Sequence, residues 1–121
     1  MDDTEPQAQQ RLKNQLDQWK DLEPRQIAVL SPYQWDRSVA RLLGTKLTRN
    51  IDDWHLNKAP LFSTITSFKG LEADAVVVID LPGRDSRAMA FAELYVGFSR
   101  AKHLLQLHTR ARDTYDWLSS L

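Results

Sequence analysis

The sequence predicts an α/β domain of three layers, with helices on both faces of a mainly parallel sheet. Four short apolar runs alternate with segments of helical composition, an order that favours parallel strands joined by crossovers. The run at 75–79, Ala-Val-Val-Val-Ile, is apolar throughout, as a strand buried on both faces is. The length of 121 residues fits one domain with a single core.

The N-terminal part predicts an amphipathic helix over residues 6–22, frayed at its start, and then a buried strand at 26–30. Pro24 separates the two, because the residue before a proline is pushed out of the helical region. We therefore divide the chain into a helix with a linker at 1–24 and the α/β domain at 25–121. The helix face predicted to be buried consists of Leu12, Leu16 and Trp19.

A second helix is expected after the first strand. Ser31 is a typical capping residue and Pro32 a typical first-turn proline, so they predict the start of the helix. Gly44 predicts its end. Residues 49–54 have weak periodicity and predict a short strand followed by an irregular loop. The buried face of the second helix is predicted from Val39, Leu42 and Leu43.

The rest of the chain continues the alternation. Strands are predicted at 61–65, 75–79 and 103–108, where apolar and β-branched residues concentrate. Helices are predicted at 88–96 and near 112–118.

Composition limits the classes of function. The 16 basic residues balance the 16 acidic ones, so a nucleic-acid contact has to come from a local surface and not from net charge. There is no Cys, and the three His lack metal-ligand spacing, so we expect no metal site in this chain. No apolar run is long enough to span a bilayer, and the acidic start is unlike a signal peptide, which favours a cytoplasmic protein.

Two segments have more specific residue patterns. The first, 64–72, places Ser67, Lys69, Gly70, Leu71 and Glu72 directly after a predicted strand. The second, 93–102, includes the run Tyr-Val-Gly-Phe-Ser-Arg-Ala-Lys and precedes the last strand. In this order they resemble motifs V and VI of the UvrD/Rep-type superfamily 1 DNA helicases. The resemblance implies the C-terminal RecA-like domain, called 2A, of an ATP-dependent DNA helicase or translocase.

The resemblance implies that both segments, 64–72 and 93–102, contribute to a nucleotide site. Arg100 would be the arginine finger, because a positive charge aimed at the γ-phosphate from a neighbouring domain accelerates phosphoryl transfer. Glu72 matches the glutamate that contacts the ATP ribose, and it follows a turn on the carboxyl side of a strand, where ligands gather. Gly70 is expected to supply a backbone shape that allows close approach to a ligand. For each residue the alternative is an ordinary surface or turn role.

The first strand resembles the strand of motif IV, but with a departure. Ser31 and Pro32 stand where relatives often carry Tyr-Arg for adenine and phosphate contact. Either Tyr33 or Arg37 takes over that nucleotide contact, or the contact is missing.

The first motif also implies contacts to single-stranded DNA. Hydroxyl groups and a lysine can bind phosphates and so hold a strand without reading its sequence. Thr66 stands where many relatives have His, which shortens that contact. Trp35 and Trp54 are near loops and are candidates for base stacking, although tryptophans are more often buried. The residues predicted to contact DNA are Thr64, Thr66, Ser67 and Lys69.

The chain has no phosphate-binding loop of the form G-x-x-x-x-G-K-[ST] and no paired-acid magnesium motif. Under the helicase interpretation, ATP is therefore shared with an N-terminal RecA-like domain of the same parent chain, and Mg²⁺ is bound by that domain. The fragment alone is not expected to hydrolyse ATP.

Two other interpretations use the same fold. A receiver-type phosphoacceptor domain would explain the strand that ends at Asp80, but it needs an acidic pair after the first strand, and Ser31 and Pro32 stand there. A non-catalytic interaction module would keep the fold without the motor, with the helix around Leu16 and Trp19 binding a partner.

Overall fold

A computed structural model describes residues 4–81 and the strand at 101–109, with the side chains of 104–108 in that strand. Within these residues, four parallel strands form one sheet in the order β2-β1-β3-β4. The predicted α/β class is confirmed, and the sheet is consistent with a RecA-like domain. The strands are β1 (Ile27–Ser31), β2 (Leu61–Thr64), β3 (Ala73–Leu81) and β4 (Ala101–Thr109).

The four strands predicted from apolar runs are present. β3 extends beyond the predicted run at both ends and is paired on both sides, with β1 and with β4. Its residues from Ala75 to Ile79 are buried, as the continuous apolar run predicted. The helices predicted at 88–96 and 112–118 lie outside the described residues.

Helical segments cover both faces of the sheet. The alternation of β1 sends Ile27 and Val29 to one face and Ala28 and Leu30 to the other. The first face is covered by helix α1 (Glu5–Gln18) and a 3₁₀ helix (Val39–Lys46). The second is covered by α2 (Ile51–His55) and the loop between β2 and β3. This arrangement gives the three predicted layers.

Helix α1 is shorter than predicted and starts with a defined cap. The Thr4 hydroxyl accepts a hydrogen bond from the Gln7 amide at 3.3 Å, and the Gln7 side chain accepts one from the Thr4 amide at 2.8 Å. This reciprocal capping box satisfies amides at the helix start, so the prediction of a frayed start was wrong. The helix packs on the core of the sheet through Ala8, Leu12 and Trp19, with Leu16 partly buried beside them.

The segment after β1 differs from the predicted helix. The prediction that a helix begins at Ser31 and Pro32 was wrong. Ser38 caps the helical segment instead, and its hydroxyl accepts a hydrogen bond from the Ala40 amide at 3.1 Å. Ser38 starts a 3₁₀ helix that has a kink at Gly44, where φ is +58°. Leu42 is 39% exposed, since the tighter 3₁₀ turn places side chains differently from an α-helix.

Residues 49–54 do not form the predicted strand. Asn50 caps α2, and its side-chain oxygen accepts from the Asp53 amide at 3.0 Å. Trp54 on this helix is 2% exposed, and its Nε1 donates to the carbonyls of Pro24 at 3.1 Å and Ile27 at 3.0 Å. Trp54 is thus a core residue and has no face for a base.

Candidate functional site

The first candidate segment forms a compact turn-rich loop between β2 and β3. The Thr64 hydroxyl accepts from the Ser67 amide at 3.1 Å, and the Thr64 carbonyl accepts from the Phe68 amide at 3.1 Å. Ile65 and Phe68 are buried and anchor the loop in the core. Because these two side chains point inward, the polar ones remain accessible: Thr66, Ser67 and Lys69 are exposed.

Gly70 has a φ of +87°, in the left-handed region that L-residues with a side chain rarely adopt. A Cβ built at this position would meet no heavy atom of residues 4–81 or of β4 within 4 Å. The glycine is therefore required by the backbone conformation of the turn and not by a lack of space within the described residues.

Two arginines lie over aromatic rings elsewhere in the described residues. In the segment after β1, the Arg37 guanidinium lies 5.6 Å from the centre of the Tyr33 ring. The Arg49 guanidinium lies 5.1 Å from the centre of the Trp35 ring. Trp35 in turn packs edge-on against Phe62 of β2, with ring centres 5.1 Å apart. The structure thus brings together the predicted residues Tyr33 and Arg37, and adds Arg49, which the sequence did not indicate.

Asp80 fixes this segment at both ends. Its carboxylate accepts hydrogen bonds from the hydroxyls of Ser31, at 2.7 Å, and Ser38, and from the Val39 amide at 3.1 Å. The Ser31 hydroxyl also accepts from the Tyr33 amide at 3.0 Å. Asp80 has a φ of +60° at the end of β3, a conformation that Asp tolerates better than most residues. The hydrogen-bond network connects β1, β3 and the start of the 3₁₀ helix.

The candidate residues occupy opposite ends of the sheet. Ser31 pairs with Thr64 where β1 and β2 end, so the loops after these strands start side by side. Ala75 pairs with Ile27 at the start of β1, and Glu72 lies further in that direction. At about 3.3 Å per residue, the levels of Ser31 and Ala75 are roughly 13 Å apart.

The predicted position of Glu72 on the carboxyl side of a strand needs correction. The loop carries the chain from the carboxyl end of β2 to the amino end of β3, and Glu72 directly precedes β3. Tyr33 and Arg37 follow the carboxyl end of β1. Tyr33 and Arg37 therefore lie toward one end of the sheet and Glu72 toward the other.

Arg100 and the rest of the second candidate segment lie outside the described residues, except that its last two residues, 101 and 102, begin β4. Among the residues that are described, no group of His, Cys, Asp or Glu has the arrangement of a metal site. In the same part of the chain, none of the helices is long and apolar enough to cross a membrane.

Comparison with known proteins agrees with the fold. The profile of the UvrD-like helicase C-terminal domain family matches residues 61–108, from β2 through the loop at 65–72 to β4. A comparison with curated proteins gave no match. The family match supports the predicted resemblance: residues 61–108 are similar to the C-terminal domain of UvrD-like helicases.

Proposed function

We propose that this domain is the second motor domain of an ATP-dependent DNA helicase or translocase. The observation that carries the proposal is the family match over 61–108, which includes the turn-rich loop with its exposed hydroxyls. In a motor of this kind, two RecA-like domains close around a nucleotide and move relative to each other along the strand. The proposal includes a cytoplasmic location, where ATP and DNA meet.

The nucleotide side of the proposal uses three residues. ATP is held mainly by an N-terminal RecA-like domain of the parent chain, which also binds Mg²⁺, because this chain has no phosphate-binding loop. Arg100 supplies the positive charge of an arginine finger. Glu72, at the amino end of β3, hydrogen-bonds the ribose, and Gly70 provides the left-handed turn that sets its position. In this proposal the ATP site lies between the two domains, and this chain supplies residues on one side of it.

The DNA-binding part of the proposal involves the loop after β2. Thr66, Ser67 and Lys69 are exposed and offer two hydroxyls and an ammonium to phosphate oxygens. Thr64 already accepts from the Ser67 amide, so its hydroxyl proton is the part left to donate to a phosphate. Such contacts hold the backbone of the strand without recognising bases.

Replacing Arg100 by Ala in the full-length natural protein tests the proposal. We expect single-strand-stimulated ATP turnover to fall by about a thousandfold or more, because the charge at the γ-phosphate is lost. Nucleotide binding should change little, since Arg100 acts on the transition state. Lys20→Ala, an exposed change on the N-terminal side of β1, is the matched control. Turnover near the wild-type rate in Arg100→Ala would contradict the assignment.

A further inference from the structure

We group the two pairs of arginine and aromatic side chains under one name, the arginine–aromatic surface: Tyr33, Trp35, Arg37 and Arg49. Three of these residues lie within a five-residue segment, and Arg49 joins them through its contact with Trp35. Trp35 packs on Phe62, two residues before Thr64 on the same strand. Alternate residues of a strand share a face, so the surface adjoins the start of the loop after β2.

Both arginines of this surface are available to an anionic ligand. Arg37 and Arg49 are exposed, and none of the ion pairs within the described residues includes them. Asp36 is exposed in the same segment but forms no ion pair with either arginine there. The Asp80 carboxylate accepts hydrogen bonds from Ser31, Ser38 and Val39. The positive charge of the two guanidiniums is thus not balanced locally by a paired acid.

The opposite end of the sheet has a different character. A cavity of about 580 Å³ there is lined by Asp21, Glu23, Arg25, Gln26 and Asp74. Its one arginine is paired with Glu23 at 2.6 Å. Single-stranded DNA is a polyanion, so its binding is favoured beside the unpaired arginines and disfavoured at this acidic end.

The segment that carries the surface is held in place before any ligand binds. Ser31 and Ser38, which flank it, both donate to the carboxylate of Asp80. A guanidinium resting on an aromatic ring is also restricted in its rotamers. Preorganisation of this kind lowers the entropy lost on binding.

We infer that the arginine–aromatic surface binds single-stranded DNA, with Arg37 and Arg49 on phosphates and Tyr33 available for stacking on a base. Arginine and aromatic side chains together are a recurring means of binding single strands without sequence preference. The inference rests on the proposed function and extends its strand-binding side. It assigns Tyr33 and Arg37 to DNA binding and not to nucleotide binding, because they lie at the far end of the sheet from Glu72.

The double variant Arg37→Gln/Arg49→Gln of the full-length protein tests this assignment. Binding of a fluorescent oligo(dT) is measured without nucleotide over a range of salt concentrations. We expect affinity to fall by about tenfold at low salt, and the slope of log K against log salt to decrease by about 1.4, since each lost phosphate contact removes about 0.7. Both arginines are exposed, so the variant should unfold at nearly the wild-type temperature.

A matched control removes two exposed charges elsewhere. Arg25→Gln/Lys58→Gln deletes cations that already pair with Glu23 and Asp53, away from the surface. It should leave both affinity and salt slope unchanged. Tyr33→Leu probes stacking: its loss of affinity should be larger on oligo(dT) than on an abasic strand of equal length, which has phosphates but no bases to stack.

Each outcome of these measurements bears on the inference. If the arginine double variant binds like wild type while the strand still stimulates ATP hydrolysis, the surface assignment fails and the proposed function stands. If the variant raises the ATP concentration for half-maximal turnover and leaves strand affinity unchanged, the two residues belong to the nucleotide and the inference is overturned. If the wild type neither binds the strand nor hydrolyses ATP, both the inference and the proposed function fail.

Discussion

At the scale of single residues, Asp80 is the clearest case of a side chain whose role depends on distant partners. It lies 49 residues from Ser31 and 42 from Ser38, and its carboxylate accepts from both. Its φ of +60° would be strained for most residues. Asp80 therefore combines a demanding backbone position with the connection between two strands and a 3₁₀ helix.

Asp80→Ala should lower the free energy of unfolding by about 2–4 kcal/mol, because three donors lose a charged acceptor and Ala is disfavoured at positive φ. Asp80→Asn should cost clearly less, since Asn tolerates this φ and retains an acceptor oxygen. Urea unfolding measures both, with the exposed Asp36→Ala as control. Equal losses in Asp80→Ala and Asp36→Ala would contradict this role.

Gly70 gives a second prediction at this scale. Gly70→Ala should destabilise the protein by about 1–2 kcal/mol through backbone strain, because no heavy atom of the described residues lies within 4 Å of the added Cβ. Gly70→Asn should cost less than Gly70→Ala, although Asn is larger. If chemical denaturation instead ranked the two variants by size, a steric clash and not the φ of +87° would explain the glycine.

At the scale of elements, the sequence predicted strands better than helices. The strands are short apolar runs, and burial on both faces follows directly from their composition. The helical segments depend on caps and on partners far along the chain: Ser38 caps its 3₁₀ helix while bonded to Asp80, and Trp54 bonds carbonyls some 30 residues away. Local periodicity does not contain that information.

For the candidate site too, local sequence patterns do not contain the contacts between distant residues. A short motif singled out the loop after β2, and in the structure Thr66, Ser67 and Lys69 are exposed there. The partition of Glu72 and Arg37 between two ends of the sheet depends on strand register, which the sequence does not show. The contact of Arg49 with Trp35 joins two segments that no local motif connects.

Helix α1 should be an integral part of the fold. Leu12 is fully buried against the sheet, so Leu12→Ala should lower the free energy of unfolding by about 2–5 kcal/mol. Leu56→Ala on a residue that is 66% exposed is the matched control and should change it by less than about 0.5 kcal/mol. A small effect of Leu12→Ala would instead mean that α1 is a separable segment.

At the scale of the whole molecule, stability should depend on pH through His108 on β4. Its Nδ1 is buried without a hydrogen-bond partner among the described residues. Burial, with a smaller effect from the Arg11 charge, lowers the pKa of His108 from 6.5 to about 4. The folded state therefore favours neutral His108, and the unfolded state binds more protons between these two values.

The resulting contribution of His108 is fully present above about pH 6.5 and is lost as the pH falls toward 4. We expect the melting temperature to drop over this interval in the wild type and to drop less in His108→Leu. His55→Leu, on an exposed histidine of α2, should keep the wild-type profile. An unchanged pH profile in His108→Leu would exclude this source of pH dependence.

For the molecule as a whole, the proposal is that this domain forms half of a DNA-dependent motor. The most direct test is the ATP hydrolysis rate of the full-length natural protein, measured with and without single-stranded DNA. We predict hydrolysis that the strand stimulates several-fold or more, because strand and nucleotide contact the same pair of domains. Absence of hydrolysis in both conditions would contradict the proposal and favour a non-catalytic interaction module on the same fold.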